Sequence, residues 1–133
     1  MGKNKQNSEL EDYLKKIKQI EILTIKEIKG KNADLIKQEE GKKLLLKAKG
    51  YVIALTEEGE QLDSIQFSNL LKKQADITFI LGGPFGLSQE VKTKANLILS
   101  LSKMTLPHEL AYLMLVEQIY RAERISEGHP YHK

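Results

Sequence analysis

Cysteine is absent from this sequence, which removes disulfides, thiolate catalysis and thiolate metal sites at once. No apolar run approaches the roughly 18 residues that a membrane-spanning helix needs, and the polar start of the chain lacks the apolar core of a signal peptide. No membrane association is expected, and a cytoplasmic location is the default. The three histidines form no helical pair at metal-ligand spacing. His129-x-x-His132 has no third ligand beside it, so no metal is expected. Nucleotide-phosphate signatures are missing too. The loop Gly82-Gly83-Pro84-Phe85-Gly86 lacks the Gly-Lys-Ser/Thr ending of a P-loop, and Pro84 stands where G-x-G-x-x-G needs its second glycine. Gly83-Pro84-Phe85-Gly86 matches the G-x-x-G of a KH domain only formally, because that loop joins two helices and this one follows an apolar run. Internal repeats, low-complexity tracts and a domain linker are likewise lacking.

What remains is a chain of 133 residues with 41% hydrophobic and 29% charged content, the composition of one ordinary soluble domain spanning residues 1–133. The net charge of +3 is unevenly spread. Residues 1–49 hold 13 lysines against 8 acidic residues, while residues 50–133 hold 8 basic and 10 acidic ones. A lysine-rich flank fits an anionic partner such as RNA, although a solvated helical surface has the same composition.

Periodicity predicts alternating helices and strands. Leu10, Tyr13, Leu14 and Ile17 share one helical face, giving a helix over Ser8–Lys18. Residues Glu21–Lys26 read as a strand. A second helix, capped by Asp34 and running to about Lys49, is expected to bury Leu35, Leu45 and Leu46. Residues Tyr51–Leu55 form a second strand ending in Thr56-Glu57-Glu58-Gly59. Asp63 or Ser64 then caps a helix with Phe67, Leu70 and Leu71 on one face. Residues Ile77–Leu81 carry no charge and no polar alternation, which suits a strand buried on both faces of a parallel sheet. Ser88 caps a short helix to about Asn96, Leu97–Leu99 is another strand, and a last helix runs from Pro107 to about Ser126. This order predicts an α/β fold with a parallel sheet. Residues 110–116 are apolar on every side of that last helix, so the sheet covers one face and either the core or a second subunit covers the other.

The stretch from Asp76 to His108 organises the rest. Two strand ends, after Leu81 and after Leu99, open into loops of small residues, and ligands of open α/β sheets bind at such carboxyl ends. Four blocks in this half of the chain then carry a specific resemblance. They are Ile80-Leu81-Gly82-Gly83-Pro84-Phe85-Gly86-Leu87-Ser88, Leu99-Ser100-Leu101-Ser102-Lys103-Met104-Thr105-Leu106-Pro107-His108, Glu117-Gln118-Ile119-Tyr120-Arg121-Ala122, and His129-Pro130-Tyr131-His132-Lys133. In this order and register the chain closely resembles the ribosomal RNA large subunit methyltransferase H family (RlmH) of the SPOUT superfamily.

The resemblance implies a parallel-sheet SPOUT fold with a C-terminal trefoil knot and a homodimer. It also implies S-adenosylmethionine-dependent methylation of N3 of a pseudouridine in large-subunit ribosomal RNA on the assembled ribosome. By position, Leu55, Gly82, Leu101, Ser102, Lys103, Met104, Thr105 and Leu106 are the implied cofactor-binding residues. Arg121, Tyr131 and His132 are the implied catalytic ones. His108, in the first turn of the last helix, reads from its position as structural or cofactor-adjacent. Without the resemblance the tail after Gly128 reads as a frayed end and the glycine loop as an ordinary tight turn. Two departures stand out. The family usually has a bulky apolar or aromatic residue where Glu123 follows Ala122, and it begins with an apolar strand leading to a Val-Gly-Lys-like turn, whereas this sequence starts Met1-Gly2-Lys3. The first strand is therefore expected either to be missing or to be encoded upstream of Met1. The competing functions are a catalytically impaired RNA- or ribosome-binding module of the same fold and a generic small-molecule-binding α/β domain.

Overall fold

In the computed structural model, residues 19–25, 32–82 and 86–128 are described. Four strands, β1 (Gln19–Thr24), β2 (Tyr51–Glu60), β3 (Asp76–Leu81) and β4 (Leu97–Leu99), form one sheet in the order β1-β3-β2-β4. All pairs are parallel. Each strand is followed by a helix among the described residues: α1 (Ala33–Lys47), α2 (Ser64–Lys73), α3 (Gln89–Lys94) and α4 (His108–Ser126). The expected α/β parallel-sheet class is the observed one. The expected helix at Ser8–Lys18 lies outside the described residues.

The central strand β3 explains the layering. Ile77, Phe79 and Leu81 turn to one face, where they meet Phe67 and Leu71 of α2 and Leu115, Val116, Ile119 and Ala122 of α4. Ile80 turns to the other face with Ala54, Leu44 of α1, Leu87 and Val91 of α3. A strand covered on both sides tolerates no exposed polar side chain, so the buried Thr78 must be satisfied internally. Its hydroxyl donates to the Lys49 carbonyl at 2.9 Å and accepts from the Lys49 amide at 3.0 Å, tying the α1–β2 connection to the sheet.

Helix starts follow capping chemistry. Asp63 and Gln66 form a reciprocal capping box on α2, and the Ser88 hydroxyl accepts from the Val91 amide on α3. On α1 the cap is Asn32, not Asp34: the Asn32 side chain accepts from the amides of Asp34 and Leu35, and Asp34 sits in the first turn. The buried face of α1 also differs from the expected one. Ile36, Glu40, Gly41 and Leu44 are buried, whereas Leu35 is 55% and Leu46 88% exposed. Leu45 is half-buried. At 100° per residue, Leu35 and Leu46 do share a face, but it lies opposite the stripe through residues 36, 40 and 44. Gly41 lies on the buried side because a Cβ there would come within 2.8 Å of the Ser88 hydroxyl and 2.9 Å of a Val91 methyl. The helices thus approach closely where a glycine allows it.

The second strand runs further than the apolar pattern of residues 51–55 suggests. Leu99 pairs with Leu55 and again with Glu60, so residues 56–59 bulge out between two pairings with one residue of β4.

Candidate functional site

Register places the site. Thr24 pairs with Leu81, Leu81 with Leu55, and Leu55 with Leu99, so the carboxyl ends of β1, β3 and β4 lie in one row with the start of the β2 bulge. The segments that follow β2, β3 and β4 therefore emerge side by side. Between them and the start of α4 lies a cavity of about 400 Å3, within the range usual for small-molecule sites.

Its walls come from three strand ends. Leu55, Thr56 and Glu57 belong to β2 and its bulge, Leu81, Gly82, Gly86 and Leu87 to the segment after β3, and Leu101, Ser102, Met104, Thr105 and Leu106 to the segment after β4. Pro107, His108 and Ala111 close it from α4. Seven of the eight residues implied to bind a cofactor are thus brought together, the exception being Lys103, which is exposed and does not line the cavity. Leu101 and Leu106 are half-buried, and Met104 is 77% exposed. A side chain so open beside an apolar cavity has hydrocarbon surface still to bury.

The segment after β4 holds its shape through short polar contacts. The Ser100 hydroxyl donates to the Ser102 carbonyl at 2.9 Å, and the Ser102 hydroxyl accepts from the Met104 amide at 3.0 Å. The Thr105 hydroxyl donates to the Glu57 carboxylate at 2.8 Å, joining this segment to the β2 bulge across the cavity. One residue further on, Glu58 meets Lys92 of α3 at 2.6 Å. That hydrogen bond, with the ammonium charge behind it, holds the Glu58 carboxyl below the ordinary carboxylate value. Gly82 is needed at close quarters. A Cβ there would sit 3.0 Å from the Gly86 carbonyl carbon and 3.2 Å from its Cα. Gly86 itself takes φ +80°, a conformation glycine adopts readily.

Of the implied catalytic residues, Arg121 is the one among the described residues, and it stands apart from this cavity. Arg121 lies on α4, half-buried, in a bidentate contact with Glu117 at 2.9 and 3.3 Å. From Ala111 to Arg121 the helix rises about 15 Å, and Arg121 does not line the cavity. Tyr131 and His132 lie outside the described residues. Sequence reasoning missed Glu57, Leu81, Leu87 and Ala111 as cavity residues. Of these, Leu81 was within reach of the sequence, since it is the last residue of β3.

Among the described residues, the apolar stretch of α4 is covered on one side only. Leu115 and Val116 are buried against the sheet, while Leu110 and Leu113 are each 45% exposed. A second cavity of about 280 Å3 lies away from the strand ends, between Ile20, Lys72 of α2 and Glu123 of α4. Glu123, one of the two departures, faces that cleft. Among the described residues no group of three His, Cys, Asp or Glu side chains is placed to hold a metal ion, and no helix is long and apolar enough to cross a membrane.

Comparison with known proteins agrees with this architecture. Residues 1–132 match the family described as "Predicted SPOUT methyltransferase". A protein of Acholeplasma laidlawii named "Ribosomal RNA large subunit methyltransferase H" is 50% identical over 128 residues, covering 91% of this chain and 85% of the relative. The protein of the same name from Streptococcus equi subsp. zooepidemicus is 47% identical over 112 residues, covering 80% of this chain and 67% of the relative. That from Campylobacter hominis is 54% identical over 85 residues, which span 64% of this chain and 56% of the relative. The chain belongs to the SPOUT methyltransferases, and within them to the ribosomal RNA large subunit methyltransferase H family.

Proposed function

We propose that this chain is an S-adenosylmethionine-dependent methyltransferase acting on N3 of a pseudouridine in large-subunit ribosomal RNA on the assembled ribosome. The observation that carries the reading is the convergence of Leu55, Gly82, Leu101, Ser102, Met104, Thr105 and Leu106 on one cavity at the strand ends. The chemistry of that wall fits this cofactor. Leucines and a methionine offer apolar surface for an adenine ring. The Gly82 backbone permits close approach, and among the described residues no lysine or arginine lines the cavity as a triphosphate site would require. When bound, S-adenosylmethionine supplies a methyl group on a sulfonium leaving group.

The chain's own residues have three tasks. They must bind donor and acceptor in line, remove the proton from N3, and stabilise charge on the uracil oxygens. His132 serves as proton acceptor, Tyr131 stacks on and orients the base, and Arg121 stabilises the developing negative charge. Lys133 and the lysines of the first third hold RNA phosphates.

The distance along α4 between Arg121 and the cavity supports a homodimer in which two copies complete the site. Leu110 and Leu113 offer apolar surface for that contact. The family assignment extends the reading to a C-terminal trefoil knot and to a cytoplasmic enzyme that works without a metal. Transfer of radiolabelled methyl groups to unmethylated ribosomes tests it. Deleting residues 129–133 should lower the rate by about 10²–10⁴-fold while leaving cofactor affinity nearly unchanged. Equal rates for the intact and shortened chains would contradict the catalytic role of the tail.

A further inference from the structure

The cavity has a charge that the methyl-transfer reading alone does not use. Among the described residues that line it, Glu57 is the one carboxylate, and none is a lysine or arginine. Thr105 occupies one Glu57 oxygen at 2.8 Å, and the other oxygen has no partner among the described residues. The neighbouring Glu58 is engaged by Lys92, so that lysine neutralises Glu58 and not Glu57. A cavity of about 400 Å3 is no wider than the Debye length of roughly 8–10 Å at moderate salt. A ligand charge anywhere inside it therefore experiences the Glu57 carboxylate.

The donor and the product of the proposed reaction differ by one charge. S-adenosylmethionine carries a sulfonium, an ammonium and a carboxylate, for a net charge of +1. S-adenosylhomocysteine has a neutral thioether and no net charge. Resting on the cofactor reading above, we propose that Glu57 is the residue by which this site prefers S-adenosylmethionine to S-adenosylhomocysteine. The carboxylate attracts the cationic donor, and the attraction fades when methyl transfer neutralises the sulfur. The lost attraction favours release of the product. Thr105 acts as a positioning residue that holds the carboxylate over the cavity.

Glu57→Gln is the informative variant, since an amide oxygen still accepts from Thr105 and only the charge is lost. Calorimetric titration of the whole protein with each ligand separately gives the two affinities. The variant should weaken S-adenosylmethionine binding by about three- to tenfold and leave S-adenosylhomocysteine within about twofold. The wild-type preference should also shrink between low salt and about 1 M salt, and the variant's should not. Thr105→Val, which frees the carboxylate without removing it, should weaken S-adenosylmethionine more than S-adenosylhomocysteine, though by less than Glu57→Gln does. Equal weakening of both ligands by Glu57→Gln, or no effect on either, would overturn the proposal while leaving the cofactor reading intact. A wild-type protein that binds neither ligand would overturn both.

Discussion

Replacing Gly82 tests the wall between the β3 end and the loop that follows it. A Cβ at this position would stand 3.0 Å from the Gly86 carbonyl carbon, 3.2 Å from its Cα and 3.3 Å from its oxygen. These are backbone atoms, and they cannot rotate away as a side-chain end would. Gly82→Ala therefore demands a displacement of a few tenths of an ångström in a segment whose Gly86 already occupies φ +80°. Overpacking of this kind costs about 1–3 kcal/mol. Restricting the unfolded chain offsets roughly 0.4–1 kcal/mol of that. A net loss of about 1 kcal/mol corresponds to a fall of roughly 4 °C in Tm for a domain of this length. Gly82→Val adds two methyl groups beside the cavity and should lower affinity for S-adenosylmethionine at least tenfold, about 1.4 kcal/mol. Thermal denaturation followed by circular dichroism gives the first quantity, and calorimetry of the folded variant gives the second. Unchanged Tm in the alanine variant together with unchanged affinity in the valine variant would refute the close approach and move the cofactor elsewhere.

Three further outcomes follow from the same geometry. Thr78→Val removes both hydrogen bonds to the Lys49 backbone. It should cost about 2 kcal/mol, a fall of roughly 7 °C in Tm by calorimetry. Glu58→Gln should alter acid stability with a definite sign. Its folded pKa is held below the ordinary 4.5, chiefly by the Lys92 hydrogen bond, so its contribution is present above that value and lost as pH falls through the folded pKa. The variant should be slightly less stable than wild type near neutrality, with the difference vanishing in acid titrations. Leu113→Glu places a charge on the exposed apolar face of α4, and light scattering at micromolar concentration should show a dimer mass falling to that of the monomer with the fold retained.

Strand identity and order of elements were legible because buried parallel strands have an unmistakable pattern. Residues Ile77–Leu81 carry no charge and are buried throughout. The pocket was legible by position, since strand ends at Leu81 and Leu99 both point to one edge of the sheet. Helix α1 was less so. Its leucines at positions 35 and 46 face outward, and its buried stripe includes Glu40 and Gly41, because close packing against Ser88 and Val91 selects for small size as well as for apolarity. The β2 bulge was not legible. Glu57, Glu58 and Glu60 look like a solvated turn, and only the double pairing of Leu99 shows that the chain stays with the sheet and swings Glu57 over the cavity. Arg121 illustrates the limit of reading motifs in a line, for its block is close in sequence to His108 yet some helical turns away along α4.

The central claim is that the cavity at the strand ends holds the methyl donor. Amide chemical-shift changes on titrating isotope-labelled protein with S-adenosylmethionine test this most directly. The account predicts changes concentrated at residues 55–57, 82–87 and 101–108, saturating together with one affinity. Changes concentrated instead around Ile20, Lys72 and Glu123, where the second cavity lies, or no saturable change at all, would contradict it.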